Sequence, residues 1–213
     1  MMRNIGLGEL VLAALEAMNQ SGLPGAPAHR AVHGAAEGRV SDEALEFLSH
    51  FCAGCAANQE IVFSKREILL ALVCRGDVQA AKCLTSACKG NVSLCRAVTK
   101  EDIAALCRML HASGKVLGLV RFVRTLCESE PRLGESVLGA LQQHKGIIMP
   151  CNSVARHNER WLLLQAVGAD GAAARAAEHE LAYHVQTTRL LAVSTRGGTS
   201  KYPSRCGRAD GMH

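Results

Sequence analysis

Apolar residues in this chain recur at helical spacing in short stretches, and Gly, Asn or Pro interrupts each stretch before it grows long. Such a pattern fits helices of about three or four turns and leaves no two-residue alternation for strands. Val11, Ala14, Leu15 and Met18 form the first stripe, on a helix predicted over residues 8–19. Aromatic residues are only 3% of the chain, fewer than a β-sandwich or barrel normally spends. The reading is therefore all-α. At 213 residues the chain can bury about 70% of its unfolded surface as one domain or one continuous array, with no disulfide or metal staple required.

Punctuation places the remaining elements. Gly22, Pro24, Gly25, Pro27, Gly34 and Gly38 predict a linker over residues 21–39, so residues 1–40 read as an N-terminal helix and a Gly/Pro-rich linker. Ser41 is suited to cap the next helix, with Asp42 and Glu43 in its first turn and Ala44, Phe47, Leu48 and Phe51 on its inner face. Asn58 is expected to cap a third helix bearing Ile61, Ile68, Leu69, Leu72 and Val73, which Arg75 and Gly76 end. Asp77 caps a helix running to about Cys88, and Gly90 and Asn91 stop it. Thr99 followed three residues on by Asp102 matches a capping box, with Ile103, Leu106, Cys107 and Leu110 behind it. Leu119, Phe122, Val123 and Leu126 stripe the next helix, and Pro131 opens another bearing Leu133, Val137, Leu138 and Leu141, ended by Gly146. A helix around Trp161 and a long one over residues 172–195 complete the set. Phe47-x-x-x-Phe51-Cys52 lines up with Phe122-x-x-x-Leu126-Cys127, and stacked helical units of this kind form a solenoid.

Charge is uneven along the chain. Arg189, Arg196, Lys201, Arg205 and Arg208 stand against Asp210 alone, so residues 196–213 read as a basic, flexible tail. Before Arg189 there are 19 basic and 18 acidic residues, which predicts no strongly basic cleft in the body. No basic stripe with interleaved aromatics supports nucleic-acid binding. The longest apolar run, residues 68–74, is far shorter than the ~20 residues a membrane span needs.

Ten cysteines without an export signal read as reduced, buried thiols. His50-x-Cys52-x-x-Cys55 carries the alternative, because thiolates and imidazole ligate zinc and Cys-x-x-Cys is a common half-site. Cys83 and Cys88 would have to complete such a site. On a helix, however, Cys52 and Cys55 share a face with Leu48 and Phe51, the position of core cysteines. A redox role lacks the βαβ pattern that surrounds thioredoxin-like pairs. No Walker loop, dinucleotide fingerprint or His-Glu-x-x-His is present, and no His pairs with a Cys by spacing. The chain is expected to be non-enzymatic and to need no cofactor.

Residues 183–197 then carry a resemblance. Tyr183-His184, Leu190-Leu191-Ala192, Thr195 and Gly197, followed by Arg205-Cys206, resemble a signature of the inositol trisphosphate receptor and ryanodine receptor family, with Ser194 where the family has Cys. Residues 116–126, 99–110, 44–52 and 58–61 are similar to further family phrases, so the likeness is scattered over most of residues 41–206. It implies the RIH (ryanodine and inositol trisphosphate receptor homology) domain over residues 41–195, an armadillo-like helical solenoid of short antiparallel helices. It implies a regulatory or scaffold module on the cytosolic face of the endoplasmic reticulum or another calcium store. Such a module is part of a ligand-gated calcium-release channel and itself lacks the pore and the ligand site. Its partners would be other domains or subunits of that channel, with self-association possible through the apolar end of the last helix. A stand-alone helical interaction adaptor is the alternative.

Overall fold

The computed structural model describes residues 5–21, 30–144 and 172–196, and every element among them is an α-helix. In chain order these are α1 (Ile5–Ser21), α2 (Arg30–Cys52), α3 (Ala56–Ser64), α4 (Arg66–Cys74), α5 (Val78–Cys88), α6 (Val92–Arg96), α7 (Lys100–Ala112), α8 (Leu117–Ser129), α9 (Leu133–Gln143) and α10 (Ala172–Arg196). The expected helix around Trp161 lies outside the described residues. So do Gly146 and residues 197–213 of the expected basic tail, whose first residue, Arg196, ends α10.

Local signals explain several boundaries. The Asp77 carboxylate accepts from the Ala80 N–H at 2.9 Å and starts α5. Thr99 and Asp102 close a reciprocal capping box at the start of α7, with distances of 2.9 and 3.1 Å. Gly76 and Gly114 take φ of +91° and +73°, where a side chain would be strained, and so end α4 and α7 sharply.

Three expectations need correction. Helix α2 runs unbroken through Ser41 from Arg30, so Ser41 is no cap and residues 30–39 are helix where a linker was expected. Ala31, Ala35, Ala36 and Glu37 are good helix formers that offset Gly34 and Gly38. The expected third helix is two, α3 and α4, broken at Lys65. Asn58 caps neither: its amide donates to the Phe51 carbonyl at 2.8 Å and finishes α2. Asn91, read as a stop, is also the N-cap of the short α6, accepting from the Leu94 N–H at 3.0 Å.

The core is continuous. Leu12 and Leu15 of α1 join Leu45, Leu48, Leu69, Leu84, Ile103, Leu119, Leu126, Leu141 and Leu190 in one cluster, so α1 belongs to the body. Packing follows a ladder: α2 lies against α5, α5 against α8, and α8 against α10, while α7 packs on α9 and α9 on α10. The two first steps of the ladder each advance three helices along the chain. Glycine permits the tightest contacts. A Cβ on Gly118 of α8 would stand 2.5 Å from the Ala81 Cβ of α5, and one on Gly134 of α9 would stand 2.5 Å from the Ser194 carbonyl oxygen of α10.

Candidate functional site

The ladder leaves a groove of about 680 Å³ along one face, within the usual range for binding sites. Helix α5 supplies Val78, Lys82 and Thr85, residues at i, i+4 and i+7, and Lys89 follows one turn on. Helix α8 supplies Leu117, Gly118, Arg121 and Arg124 at the same kind of spacing. Glu46, Ser49 and His50 of α2 and His179 of α10 form the ends of the lining, and Lys115 stands on the turn before α8. The floor is apolar: Val73, Ala81, Val116 and Leu117, drawn together where Gly118 meets Ala81.

Among the described residues, five Lys or Arg side chains line this groove against two carboxylates, Glu46 and Asp77. Against the expectation of no strongly basic cleft, the groove gathers a modest local excess of cations. Linear charge balance averages over faces, whereas folding brings residues 82–89 and 115–124 together across α5 and α8. The cations are not equivalent. Lys115 pairs with Glu180 of α10. Arg124 stands 3.2 Å from Glu128 and donates to the Gln186 amide oxygen. Lys82, Lys89 and Arg121 are exposed, and among the described residues no carboxylate lies at ion-pair distance from them. Buried Gln59 of α3 donates to the carbonyls of Ser86 and Lys89, both at 3.0 Å, and so pins the C-terminal end of α5 beneath its lysines. Gln59 had entered only through a family phrase, and its buried role has no local sequence signal.

A second cavity of about 220 Å³ opens between α4, α6, α7 and α8, lined by Leu70, Leu94, Met109 and Phe122. Arg66, the one cation among its described lining residues, is spent within the fold, near Glu67 and Asp102 (3.6 and 3.8 Å) and over the Phe63 ring at 5.2 Å. Unlike the groove, it offers no uncommitted charge.

The zinc alternative is not assembled. Cys52 is fully buried at the end of α2, Cys55 is half-buried on extended backbone before α3, and His50 points to solvent with 79% of its side chain exposed. The turn at Ala53 and Gly54 separates the two cysteines, which correctly read as helical only for Cys52. Among the described residues no three His, Cys, Asp or Glu side chains are grouped to hold a metal. Burial, with the neighbouring Cys55 thiol, pushes Cys52 up to about 12, and burial raises Cys107 and Cys127 to about 11. These thiols stay protonated at neutral pH and are poor nucleophiles.

The signature residues lie along α10 and do not converge on one point. Tyr183 and Leu190 are buried, His184 and Leu191 half-buried, and Ala192 and Thr195 exposed; Gly197, Arg205 and Cys206 lie outside the described residues. Ser194, the departure from the family pattern, is fully buried, and its hydroxyl donates to the Cys127 sulfur at 3.8 Å. Leu191 and Val193 pack against the core, so Val185 is the exposed large apolar side chain of α10. Among the described residues no helix is long and apolar enough to cross a membrane. No protein-family model and no curated protein matches this sequence.

Proposed function

We propose that this chain is a non-enzymatic helical module that works by holding part of another protein against the face built by α2, α5 and α8. The groove carries this reading: three helices of a continuous ladder present an apolar floor and uncommitted cations on one side. A ladder whose first two steps each advance three helices fits an armadillo-like solenoid, whose stacked units make extended binding faces. The buried, protonated thiols of Cys52, Cys107 and Cys127 have a packing role.

Within that class, the likeness of residues 183–197 supports a cytosolic module of the inositol trisphosphate receptor and ryanodine receptor kind. Its partner is then another domain or subunit of a calcium-release channel. Sedimentation velocity of this chain mixed with the purified cytosolic assembly of an inositol trisphosphate receptor tests the assignment. Co-sedimentation is the expected result. A chain that sediments alone at every ratio removes the receptor assignment and leaves the stand-alone adaptor.

A further inference from the structure

We propose that the groove between α5 and α8 takes an extended, acidic protein segment that carries an apolar residue between its carboxylates; the proposal rests on the protein-contact reading above. The charge pattern selects the occupant. Lys82 and Lys89 stand two turns apart along α5, and Arg121 faces them from α8, all exposed and without a carboxylate at ion-pair distance among the described residues. The neighbouring cations Lys115 and Arg124 are already held by Glu180, Glu128 and Gln186, so they shape the groove without attracting a ligand as strongly.

The floor distinguishes a protein segment from a nucleic acid. Val73, Ala81, Val116 and Leu117 offer small apolar contacts, and among the described residues no Phe, Tyr or Trp ring lines the groove to stack a base. A polypeptide with acids on one side and an aliphatic residue on the other satisfies both rim and floor. An extended segment of about eight residues, roughly 26 Å long, is sufficient to pass all three free cations.

Fluorescence anisotropy on the full chain tests this with three labelled probes: an alternating Asp–Leu peptide of about eight residues, its Lys–Leu counterpart, and an oligodeoxythymidylate of matching charge. The Asp–Leu peptide is expected to bind, the Lys–Leu peptide not to bind, and the K82E/R121E chain to bind the acidic peptide about tenfold or more weakly. Both positions are solvent-exposed, and circular dichroism confirms the variant's fold; K89E provides an independent reversal on the same face. Absence of binding, equal binding by the folded variants, or tighter binding of the oligonucleotide overturns the proposal. If the peptide fails while co-sedimentation with the receptor assembly persists, only the acidic-segment proposal falls. If the peptide binds without co-sedimentation, the receptor assignment falls and the groove proposal stands.

Discussion

Raising the pH from about 8 to about 10 is expected to unfold this chain, because buried thiols lose their advantage once unfolded thiols ionise. An unfolded cysteine titrates near 8.5. In the fold, burial holds Cys52 at about 12 and Cys107 and Cys127 at about 11, and pushes Cys83 up as well. Each folded value exceeds the unfolded one. Their contribution is therefore complete below the unfolded value and declines as pH rises toward the folded values. Each thiol adds a slope of about 1.4 kcal/mol per pH unit, and four together about 5 kcal/mol per unit. That is comparable with the whole stability of a small domain, ~5–15 kcal/mol. Urea midpoints taken across this range measure the slope. Replacing Cys107 and Cys127 by Ala should lower it by about 3 kcal/mol per pH unit, since two raised thiols are gone. An unchanged slope would mean that the thiols do not govern alkaline stability.

Gly134→Leu is expected to be the most damaging single substitution among the helical glycines whose surroundings are described, Gly6, Gly8, Gly118, Gly134 and Gly139. A Cβ at that position would lie 2.5 Å from the Ser194 carbonyl oxygen and 2.9 Å from the Ser194 Cα. These are backbone atoms and cannot swing aside as a side chain can. Helix α10 must then shift away from α9 and carry the fully buried Ser194 with it. Overpacking in a filled core costs about 1–3 kcal/mol, and displacement of a helix backbone belongs at or above the upper end. Gly139 sits on the same helix with nothing within 4 Å of its Cβ position. Gly139→Ala should instead stabilise by about 0.4–1 kcal/mol through reduced unfolded-state entropy. Thermal denaturation of the two variants gives the contrast. Equal midpoints would show that α9 and α10 are not in close contact.

What the sequence revealed follows the range of the interactions. Helices α5 and α7 were legible because Asp77, and Thr99 with Asp102, fix their starts through partners three residues away. The stripe of Leu119, Phe122, Val123 and Leu126 was legible because one apolar face of α8 is buried whatever covers it. The break at Lys65 was hidden, since apolar periodicity continues across it with no Gly or Pro. The start of α2 at Arg30 was hidden for the opposite reason: two glycines suggest a linker, and neighbouring helix formers outweigh them. Gly118 and Gly134 give no local sign of close contact, because Ala81 and Ser194 are distant in the chain. The groove was illegible for the same reason. Its cations come from α5 and α8, and only packing sorts them onto one face. The all-α class needed no such long-range information, because the helical period recurs within each short segment.

Hydrogen–deuterium exchange of the full chain, free and mixed with the proposed partner, the purified cytosolic assembly of an inositol trisphosphate receptor, addresses the groove as a protein-contact surface most directly. Slower exchange on binding is expected along α5, from Val78 to Cys88, and through residues 115–125, where the groove's floor and cations lie. Exchange at α1 and α7, which lie outside the groove, should change little. Protection confined to α1 or α7, with residues 78–89 and 115–125 exchanging as in the free chain, would contradict the assignment of this face.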